Sequence, residues 1–292
     1  MNDKITFIVK TGGRKRILYR LLDSIKKYHP EYPIICTDDF SDDSDFNEMM
    51  SLYPKVDFIR LPFDTGLSFG RNEALKRVFT DYFILLDDDF CLCEALDFNK
   101  VLQKINVING CYDLMGGTWI EYREHSGVIA RFAARIGRIF FRNEKLLMKP
   151  QKRNYIGEIH VADDEVTVNV KTNIFPSFQK VDIVLNFFAA RTEAVKKMGG
   201  WRNELKLQEH SEFFVRAKMN GLKVCYSSEF IIEHWPGGDS LYVGRRSRDF
   251  TYLIPDLLQV KAFRVYVDGK VSVERVSLNK TNGTAPLEGH KQ

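Results

Sequence analysis

The sequence predicts an α/β protein with a mixed, mostly parallel sheet flanked by helices. Short apolar segments of strand length alternate with segments of helical periodicity through the first part of the chain. One of them, Tyr82–Leu86, is wholly apolar, which is typical of a strand buried on both faces of a parallel sheet. Because 44% of the 292 residues are apolar, the chain can build a full core and is not expected to be disordered.

The first half of the chain is predicted to form βαβ units. The expected strands are Ile5–Lys10, Pro33–Thr37, Val56–Leu61 and Tyr82–Leu86. The expected helices between them are Arg14–Tyr28 and Gly66–Val78. A helix between two strands at this spacing gives a right-handed crossover and parallel strands, and such sheets bind ligands beyond the carboxyl ends of the strands. Acidic residues follow two of these strands, so we expect the functional site at that edge.

The second half of the chain has a less regular pattern. Its expected strands are Leu114–Arg123, Val166–Lys171, Val181–Ala190, Lys223–Tyr226 and Phe230–Glu233. Its expected helices are Ile129–Arg142, Arg191–Met198 and Gln208–Asn220. Glycines follow the last two helices, as is usual where a helix ends in the left-handed conformation. The polar tail from about residue 279 is predicted to be disordered.

Composition excludes several classes of protein. With 43 basic and 39 acidic side chains the net charge is +4, which is too balanced for a nucleic-acid-binding protein. No apolar run approaches the roughly 18 residues of a membrane-spanning helix, so no transmembrane segment is expected. The cysteines match no zinc-binding spacing and are expected to be free thiols: Cys36, Cys91, Cys93, Cys111 and Cys225.

The strongest functional signal is the triplet Asp87-Asp88-Asp89 after the buried strand. Three carboxylates in this position repel one another unless a cation compensates them. Alternate residues of a strand point the same way, so Asp87 and Asp89 can share one ligand. Oxygen ligands favour Mg²⁺ or Mn²⁺, which commonly carry the diphosphate of a nucleotide. The alternative interpretation is a solvated acidic loop.

Two other segments at the ends of predicted strands have candidate binding residues. The pair Asp38-Asp39 can accept hydrogen bonds from a nucleobase or a ribose, although the Asp and Ser residues that follow also fit a simple turn. Between Gly66 and Asn72, glycines and a serine accompany Arg71 at the start of a helix, which is an arrangement that suits an anion. A plain junction between a loop and a helix is the alternative there.

Two later segments contain candidates for catalysis and metal binding. The run Glu209–Glu212 begins a predicted helix, and a carboxylate or imidazole near an accepting hydroxyl can act as a general base. The alternative is that these acidic residues only complement the helix dipole. His234 follows an apolar strand and can ligate a metal, although a lone histidine is more often structural.

Taken in chain order, these motifs and several flanking segments resemble one family. The segments are Ile5–Thr11, Thr37–Asp39, Leu61–Phe63, Gly66–Asn72, Asp87–Phe90, Asn186–Thr192, His210–Phe214 and Glu233-His234. They are similar to the GT-A glycosyltransferases, which have a Rossmann-like sheet. The similarity is greatest to β1,4-N-acetylgalactosaminyltransferases of the GM2/GD2-synthase type, glycosyltransferase family 12, which is related to the broad family 2.

The resemblance implies an inverting, metal-dependent transferase that moves N-acetylgalactosamine, or a related hexose, from UDP to a glycan hydroxyl. UDP-linked GlcNAc, Gal or Glc are alternative donors. The implied cofactor is Mn²⁺ or Mg²⁺, with the ligands Asp87, Asp89 and His234. The implied nucleotide-sugar contacts are Thr11, Asp38, Asp39, Gly66, Arg71, Asn72, Asp87 and Asp88.

The resemblance leaves the general base open. Where the wider superfamily has Glu-Asp, this chain has Glu209-His210. Glu212 is the first candidate for the base and His210 the second, and Glu209 is expected to hold hydroxyls of the donor sugar. Separately, composition suggests that Arg245 and Arg246 close over the diphosphate as a lid.

We expect a single GT-A catalytic domain over residues 1–255. Residues 1–115 would bind the nucleotide sugar, and residues 116–255 would bind the acceptor and perform catalysis. Residues 256–292 would form a C-terminal extension. Two other functions stay open: a sugar nucleotidyltransferase, because Thr11–Arg16 faintly resembles a phosphate-binding loop, and a glycan-binding protein without catalysis.

The expected partners are a UDP-sugar and a glycan or glycolipid acceptor. A predicted arginine stripe is either a solvated face or a contact for an acidic acceptor or an anionic membrane: Arg131, Arg135, Arg138 and Arg142. The expected location is the cytoplasm or the inner membrane face of a bacterium. Glycosylation sequons at Asn279 and Asn282 make the Golgi lumen the alternative.

Overall fold

A computed structural model describes residues 4–107, 112–124, 148–237, 244–245 and 247–277. The strands are β1 (Ile5–Thr11), β2 (Ile34–Asp38), β3 (Val56–Arg60), β4 (Tyr82–Asp87), β5 (Phe90–Cys91), β6 (Leu114–Glu124), β7 (Met148–Arg153), β8 (Tyr155–Ala162), β9 (Glu165–Thr172), β10 (Gln179–Val181), β11 (Phe188–Arg191), β12 (Val224–His234), β13 (Ala262–Val267) and β14 (Lys270–Val276). The α-helices are α1 (Lys15–Tyr28), α2 (Asp43–Leu52), α3 (Gly66–Arg77), α4 (Phe98–Val107), α5 (Thr192–Lys197), α6 (His210–Met219) and α7 (Ile254–Leu258).

Within the described residues, the larger sheet is mixed and has ten strands. Its main order is β10-β12-β6-β11-β4-β1-β2-β3, with β5 paired to β12 and β7 paired to β6. Strands β4, β1, β2 and β3 are mutually parallel, whereas β11 runs antiparallel to both β4 and β6. Apolar residues of α1, α2 and α4 bury one face of the sheet, and those of α3, α5 and α6 bury the other. The predicted α/β class with a mostly parallel sheet is confirmed.

The register of the parallel strands decides where polar residues meet. Thr11 of β1 lies opposite Asp38 of β2, and Lys10 of β1 lies opposite Asp87 of β4. The carboxyl ends of β1, β2 and β4 therefore lie side by side. The turns that follow them, with Asp39 and the rest of the aspartate triplet, converge at one edge, as the parallel arrangement predicts.

A second, four-stranded sheet has the order β14-β13-β9-β8. Strand β13 runs parallel to β9, and β14 returns antiparallel to β13. Phe263 and Val265 from β13 are buried in the same core as Val166 and Val168 from β9 and Phe213 from α6. The chain after residue 255, expected as an extension, is thus joined to the second half by sheet pairing and by a shared core.

Most predicted elements of the first half are confirmed, but α2 was missed. The Asp and Ser residues after Asp38 were interpreted as turn residues. The structure uses them to begin a helix, because the side chain of Asp42 accepts a hydrogen bond from the backbone N of Asp45 at 2.8 Å. Residue types that favour turns are the same ones that cap helices, so the sequence signal was ambiguous.

Two strand predictions in the second half are wrong. The expected strand Val181–Ala190 is split into β10 and β11, since the chain leaves the sheet between them and Asp182 accepts a hydrogen bond from the backbone N of Ile159 at 2.9 Å. Conversely, Lys223–Tyr226 and Phe230–Glu233 are parts of one strand, β12. Its pairing with β6 is interrupted by a register shift between residues 226 and 231 rather than by a turn.

Several predicted features lie outside the described residues. They are the helix Ile129–Arg142 with its arginine stripe, Cys111, Arg246, and the sequons at Asn279 and Asn282. Of the predicted thiols, Cys36 and Cys225 are buried and free. Within the described ranges, no helix has the length and apolar character needed to cross a membrane.

Candidate active site

A cavity of about 170 Å³ opens at the carboxyl ends of β1, β2 and β4. Charged side chains of both signs and the glycine-containing turns after β1 and before α3 form its walls. This first cavity is lined by Lys10, Thr11, Gly12, Arg14, Asp39, Asp64, Gly66, Leu67, Asp87, Asp88, Asp89, Trp119, Leu207, His234, Arg245 and Arg248. The fold therefore brings together every predicted metal ligand and most of the predicted nucleotide-sugar contacts.

A second cavity of about 410 Å³ adjoins the first and lies between α6 and the smaller sheet. The two cavities share the wall residues Leu67, Asp87, Trp119 and Leu207. The polar part of the second cavity is formed by Arg71, Asn186, Gln208, Glu209, His210 and Ser211, and its apolar part includes Leu185, Ile254, Phe263, Val265 and Val273.

Asp39 is held in the first cavity by two donors. Lys10 Nζ donates to its Oδ1 at 2.6 Å, and the backbone N of Gly66 donates to its Oδ2 at 2.9 Å. Lys10 is itself buried, and a Cβ at Gly70 would lie 2.3 Å from the Lys10 Cδ, so only glycine leaves room there. Lys10 was not among the residues predicted for the site, although a lysine that ends an apolar strand was a visible signal in the sequence.

Asp38 does not occupy the position expected for a uridine contact. Its Oδ1 accepts hydrogen bonds from the backbone N of Phe40 at 2.8 Å and of Ser41 at 3.1 Å, and its Oδ2 accepts one from the Ser41 hydroxyl. The carboxylate lines neither cavity. The turn interpretation is therefore the one that fits Asp38, because the tight turn after β2 directs this side chain back onto its own backbone.

Asp88, the middle residue of the triplet, is completely engaged with protein groups. Thr11 Oγ1 donates to its Oδ2 at 2.7 Å, Arg14 Nε donates to the same oxygen at 3.2 Å, and Arg14 Nη2 pairs with Oδ1. Burial raises the pKa of Asp88 to about 6, although Arg14 opposes this shift. The predicted contacts Thr11 and Asp88 thus bind each other.

Asp89 and His234 come from distant parts of the chain and face each other. Asp89 Oδ1 lies 3.6 Å from His234 Nε2, while Asp89 Oδ2 lies 3.3 Å from Arg14 Nη1. Burial alone would raise the pKa of Asp89, but His234 and Arg14 outweigh it and lower the pKa. The ring of His234 packs against Trp119 with centroids 4.7 Å apart, which fixes its orientation.

The donor set fits a hard or borderline divalent cation. One carboxylate oxygen of Asp89 and one imidazole nitrogen of His234 face each other, and Asp87 lines the same cavity. Within the described ranges, however, no three His, Cys, Asp or Glu side chains converge closely enough to form a complete cage. This matches metals that take their remaining oxygen ligands from a phosphate group and water.

Arg71 connects the two cavities. Its side chain is 1% exposed, and its Nη2 donates to Asp87 Oδ1 at 3.0 Å while its Nη1 pairs with Glu209 Oε1. These carboxylates belong to different halves of the chain: Asp87 lies in the wall shared by the two cavities, and Glu209 lines the second. The prediction that Arg71 lies near the nucleotide sugar is compatible with this position, but its direct partners are protein carboxylates.

A hydrogen-bonded chain continues from Glu209 to His210. Asn186 Nδ2 donates to Glu209 Oε1 at 3.5 Å, which turns the amide oxygen of Asn186 toward His210 Nδ1 at 2.7 Å. An amide oxygen there requires Nδ1 to carry the proton, so Nε2 of the neutral ring is an acceptor. Among the described residues, His210 Nε2 and Glu209 Oε2 have no hydrogen-bond partner although both are buried.

Burial also controls the charge of His210. It lowers the pKa of the imidazole from 6.5 to about 4; the positive charge of Arg71 adds to this shift and Glu209 opposes it. His210 is therefore neutral at physiological pH. His210 lines the second cavity, and its neutral ring keeps one nitrogen that can accept a proton.

The shifted pKa of His210 predicts a pH dependence of stability. Above pH 6.5 the His210 ring is neutral in both the folded and the unfolded chain. Between about pH 6.5 and pH 4 only the unfolded chain takes up the proton, so the folded state loses stability as the pH falls. Over this pH range we expect the free energy of unfolding of His210→Gln to fall by up to about 3 kcal/mol less than that of the wild type. Urea denaturation from pH 4 to 8 measures it, with His160→Gln, at an exposed site, as the control. Parallel pH profiles for wild type and His210→Gln would contradict the prediction.

Glu212 does not fit the role of general base that was expected for it. Its side chain is fully buried and lines neither cavity, and its Oε1 accepts a hydrogen bond from Arg216 Nε at 2.5 Å. Arg216 in turn donates to the carbonyl oxygens of Met198 and Gly200 at 3.0 and 2.7 Å. The pair fastens α6 to the end of α5. The sequence did contain a signal, because Arg216 follows Glu212 at the helical spacing of four residues.

Asn72 likewise has a structural position rather than a place in the nucleotide-sugar site. Its amide binds the backbone of Trp201 through both atoms, with Nδ2 donating to the carbonyl at 2.7 Å and Oδ1 accepting from N at 2.8 Å. It lines neither cavity. A Cβ at Gly200 would lie 2.3 Å from Asn72 Oδ1, so this contact explains the glycine before Trp201.

Arginines complete the first cavity, and two of them were not identified from the sequence. Arg14 was missed, and so was Arg248, whose guanidinium binds both carboxylate oxygens of Asp64 at 2.6 and 2.7 Å. Arg245, which was predicted, donates to the carbonyl oxygen of Gly12 at 2.8 Å and stacks on the ring of Phe40 at 3.6 Å. Arg14 lies in the segment Thr11–Arg16, which was noted only for its faint resemblance to a phosphate-binding loop, and no local pattern marked Arg248.

A Rossmann-like mixed sheet with acidic motifs at the carboxyl ends of its strands, next to a cavity with an acid–imidazole pair, is the architecture of the GT-A fold. Residues 6–170 match the family described as glycosyl transferase family 2, which is more than half of the chain. The chain belongs to this family. The resemblance inferred from the motifs is therefore confirmed.

Curated relatives agree with that assignment. The chain is 30% identical over 235 residues to β-1,4 N-acetylgalactosaminyltransferase 1 of Mus musculus, an alignment that covers 79% of this chain and 38% of the relative. It is 28% identical over 214 residues to β-1,4 N-acetylgalactosaminyltransferase 2 of Mus musculus, covering 72% and 35%. The alignments thus span well under half the length of these relatives.

Solved structures share the fold. The S. aureus TarS 1-349 complex with UDP-GlcNAc has a TM-score of 0.52 at 15% identity, over 81% of this chain and 60% of that one. The mannosyltransferase PcManGT from Pyrobaculum calidifontis, in complex with GDP-Man and Mn²⁺, has a TM-score of 0.52 at 12% identity, over 88% and 64%. At these identities the similarity establishes the fold alone.

Proposed function

We propose that this protein transfers a sugar from a UDP-sugar to a hydroxyl of a glycan or glycolipid acceptor, with inversion and with the help of a divalent cation. N-acetylgalactosamine is the first candidate for the sugar, because two curated relatives carry that activity in their names. The observation that carries the proposal is the shared wall of the two cavities. Because the cavities share this wall, a diphosphate beside the aspartate triplet and an acceptor hydroxyl beside His210 could both reach the anomeric carbon of one donor sugar.

The first cavity suits the nucleotide diphosphate end of the donor. Lys10, Arg14, Arg245 and Arg248 supply four cationic groups, and the turn after β1 presents its backbone to the same space. Asp39, held by Lys10 and Gly66, is the acidic residue left to accept hydrogen bonds from the nucleoside. That S. aureus TarS forms complexes with UDP and UDP-GlcNAc supports a uridine nucleotide for this fold.

A bound Mn²⁺ or Mg²⁺ would be held by Asp89 and His234, with Asp87 nearby, and would neutralise charge on the departing diphosphate. The Mn²⁺ in the PcManGT complex supports such a cofactor for this fold. Arg14 and the other cations of the first cavity would stabilise the same developing charge. Arg245, which joins the turn after β1 to Phe40, would cover the diphosphate from the outside.

His210 is the residue that we assign as the general base. His210 lines the second cavity, and Asn186 holds the proton on Nδ1, which leaves Nε2 as the acceptor. It would take the proton of the acceptor hydroxyl as that oxygen attacks the anomeric carbon in a single displacement, which inverts the centre. Glu209, whose Oε2 is unpartnered, would bind a hydroxyl of the donor sugar, while its Oε1 stays paired with Arg71.

UDP release from a panel of UDP-sugars tests this function. We expect hydrolysis or transfer to be fastest with UDP-GalNAc, to stop with EDTA and to return with Mn²⁺. Asp89→Asn is the matched control, because it removes one proposed ligand charge and should abolish the Mn²⁺ response. Consumption of UTP and a sugar phosphate would instead identify a nucleotidyltransferase, and glycan binding without UDP release would identify a binding protein.

A further inference from the structure

Arg14 lies inside the acidic triplet and is itself almost enclosed. Its side chain is 8% exposed. Its Nε and Nη2 bind the two oxygens of Asp88, its Nη1 reaches Asp89 Oδ2 at 3.3 Å, and the same nitrogen donates to the carbonyl oxygen of Gly237 at 2.7 Å. One guanidinium thus joins the loop after β1, the end of β4 and the segment after β12.

These contacts divide the carboxylate oxygens of Asp88 and Asp89 into two groups. Both oxygens of Asp88 and the Oδ2 of Asp89 face Arg14, whereas the Oδ1 of Asp89 faces His234 Nε2 at 3.6 Å. Asp88 is 2% exposed and Arg14 binds both of its oxygens, so loss of Arg14 would leave this carboxylate buried next to that of Asp89 without its direct counter-ion. Arg14 therefore compensates the charge of Asp88 and part of that of Asp89 without a metal ion.

The same positive charge affects any cation that binds between Asp89 and His234. A divalent ion alone would meet the repulsion of a fixed guanidinium that already neutralises part of Asp89. A metal ion that arrives together with a diphosphate would not meet this repulsion, because the phosphate oxygens bring several negative charges that the metal ion and Arg14 can share.

We propose that Arg14 is the internal counter-ion of Asp88 and Asp89 and makes metal binding depend on the nucleotide diphosphate. The proposal rests on the divalent cation site of the proposed function. Its consequence is that metal and UDP bind together and reinforce each other, whereas metal alone binds weakly. By linkage, UDP must then raise the affinity for Mn²⁺ by the same factor by which Mn²⁺ raises the affinity for UDP.

Mn²⁺ binding tests the proposal without any need for catalysis. Free Mn²⁺ can be counted by electron paramagnetic resonance during titration of the protein, with and without UDP. For Arg14→Gln we expect Mn²⁺ alone to bind about tenfold more tightly than in wild type, and the gain from adding UDP to shrink by a similar factor. The matched control is Arg16→Gln, which removes the same charge from an exposed position of α1.

A second comparison covers the case in which Arg14→Gln does not fold. Asp88→Asn removes the main partner of Arg14, so Asp88→Asn/Arg14→Gln leaves no unpaired carboxylate at that position. The double variant should again bind Mn²⁺ alone more tightly than Asp88→Asn does. Equal or weaker binding of Mn²⁺ after loss of Arg14 overturns the inference but leaves the metal site standing. Absence of Mn²⁺ binding in wild type, with or without UDP, overturns both the inference and the metal dependence of the proposed function.

Discussion

Replacing Arg71 with methionine is expected to lower the free energy of unfolding by about 3–5 kcal/mol, the usual cost of breaking a buried ion pair from one side. The reason is the position of Arg71 between Asp87 and Glu209. The side chains of Arg71 and Glu209 are each 1% exposed, so the variant would leave the Glu209 carboxylate buried without a cation. Urea denaturation followed by tryptophan fluorescence measures the loss, since Trp201 lies 5.8 Å from the guanidinium.

The double variant Arg71→Met/Glu209→Gln separates the charge effect from a loss of packing. Without the Glu209 charge, the remaining polar group is neutral, and we expect part of the lost stability to return. A loss below about 1 kcal/mol for Arg71→Met would mean that the pair is worth no more than a surface salt bridge. The same result would remove the physical basis for treating Arg71 as the connection between the two cavities.

Replacing His210 with glutamine is expected to lower kcat by about 10²–10⁴-fold, the usual contribution of a general base. The KM for the UDP-sugar should change little, because His210 lines the second cavity but not the first. Steady-state kinetics with UDP-GalNAc and an accepting glycan measure both constants. The folded fraction of each variant, taken from denaturation curves, corrects the rates for any loss of stability.

Glu212→Gln on the same helix provides the control for this assignment. Its carboxylate is bound to Arg216 and lines neither cavity, so the variant should lose stability but keep the kcat of its folded fraction. A large loss of kcat in Glu212→Gln, with normal turnover in His210→Gln, would reverse the two roles. Glu209→Gln should instead raise the KM for the donor, as expected for a residue that holds sugar hydroxyls.

Some features of the site could be predicted because they follow from backbone geometry. Asp87, Asp89 and Asp39 were identified because they follow apolar strands that the pattern marked as parallel. Parallel strands present their carboxyl ends at a common edge whatever the side chains do. His234 was a candidate because it follows an apolar strand, and the family resemblance favoured it as a metal ligand; the fold places it 3.6 Å from Asp89.

Other features could not be predicted, because they depend on how elements pack. Asp38 and Asp39 are neighbours of equal chemistry, but the turn after β2 directs one onto its own backbone and the other into the first cavity. Arg71 and Glu209 are 138 positions apart, so no local pattern could show that they form a buried pair. The pairing of Arg14 with Asp88 spans 74 positions and was hidden for the same reason.

The sequence by itself determined the α/β class, the family and the edge of the sheet where acidic residues gather. The class and the edge follow from hydrophobic periodicity, and the family follows from motifs in chain order. Both can be read along the sequence without knowing how the elements pack. Only the tertiary structure decided which carboxylates face the cavities and which form ion pairs with other side chains. Helical spacing shows that Glu209 and Glu212 lie one turn apart, but the packing of α6 against α5 decides that one faces the second cavity and the other binds Arg216.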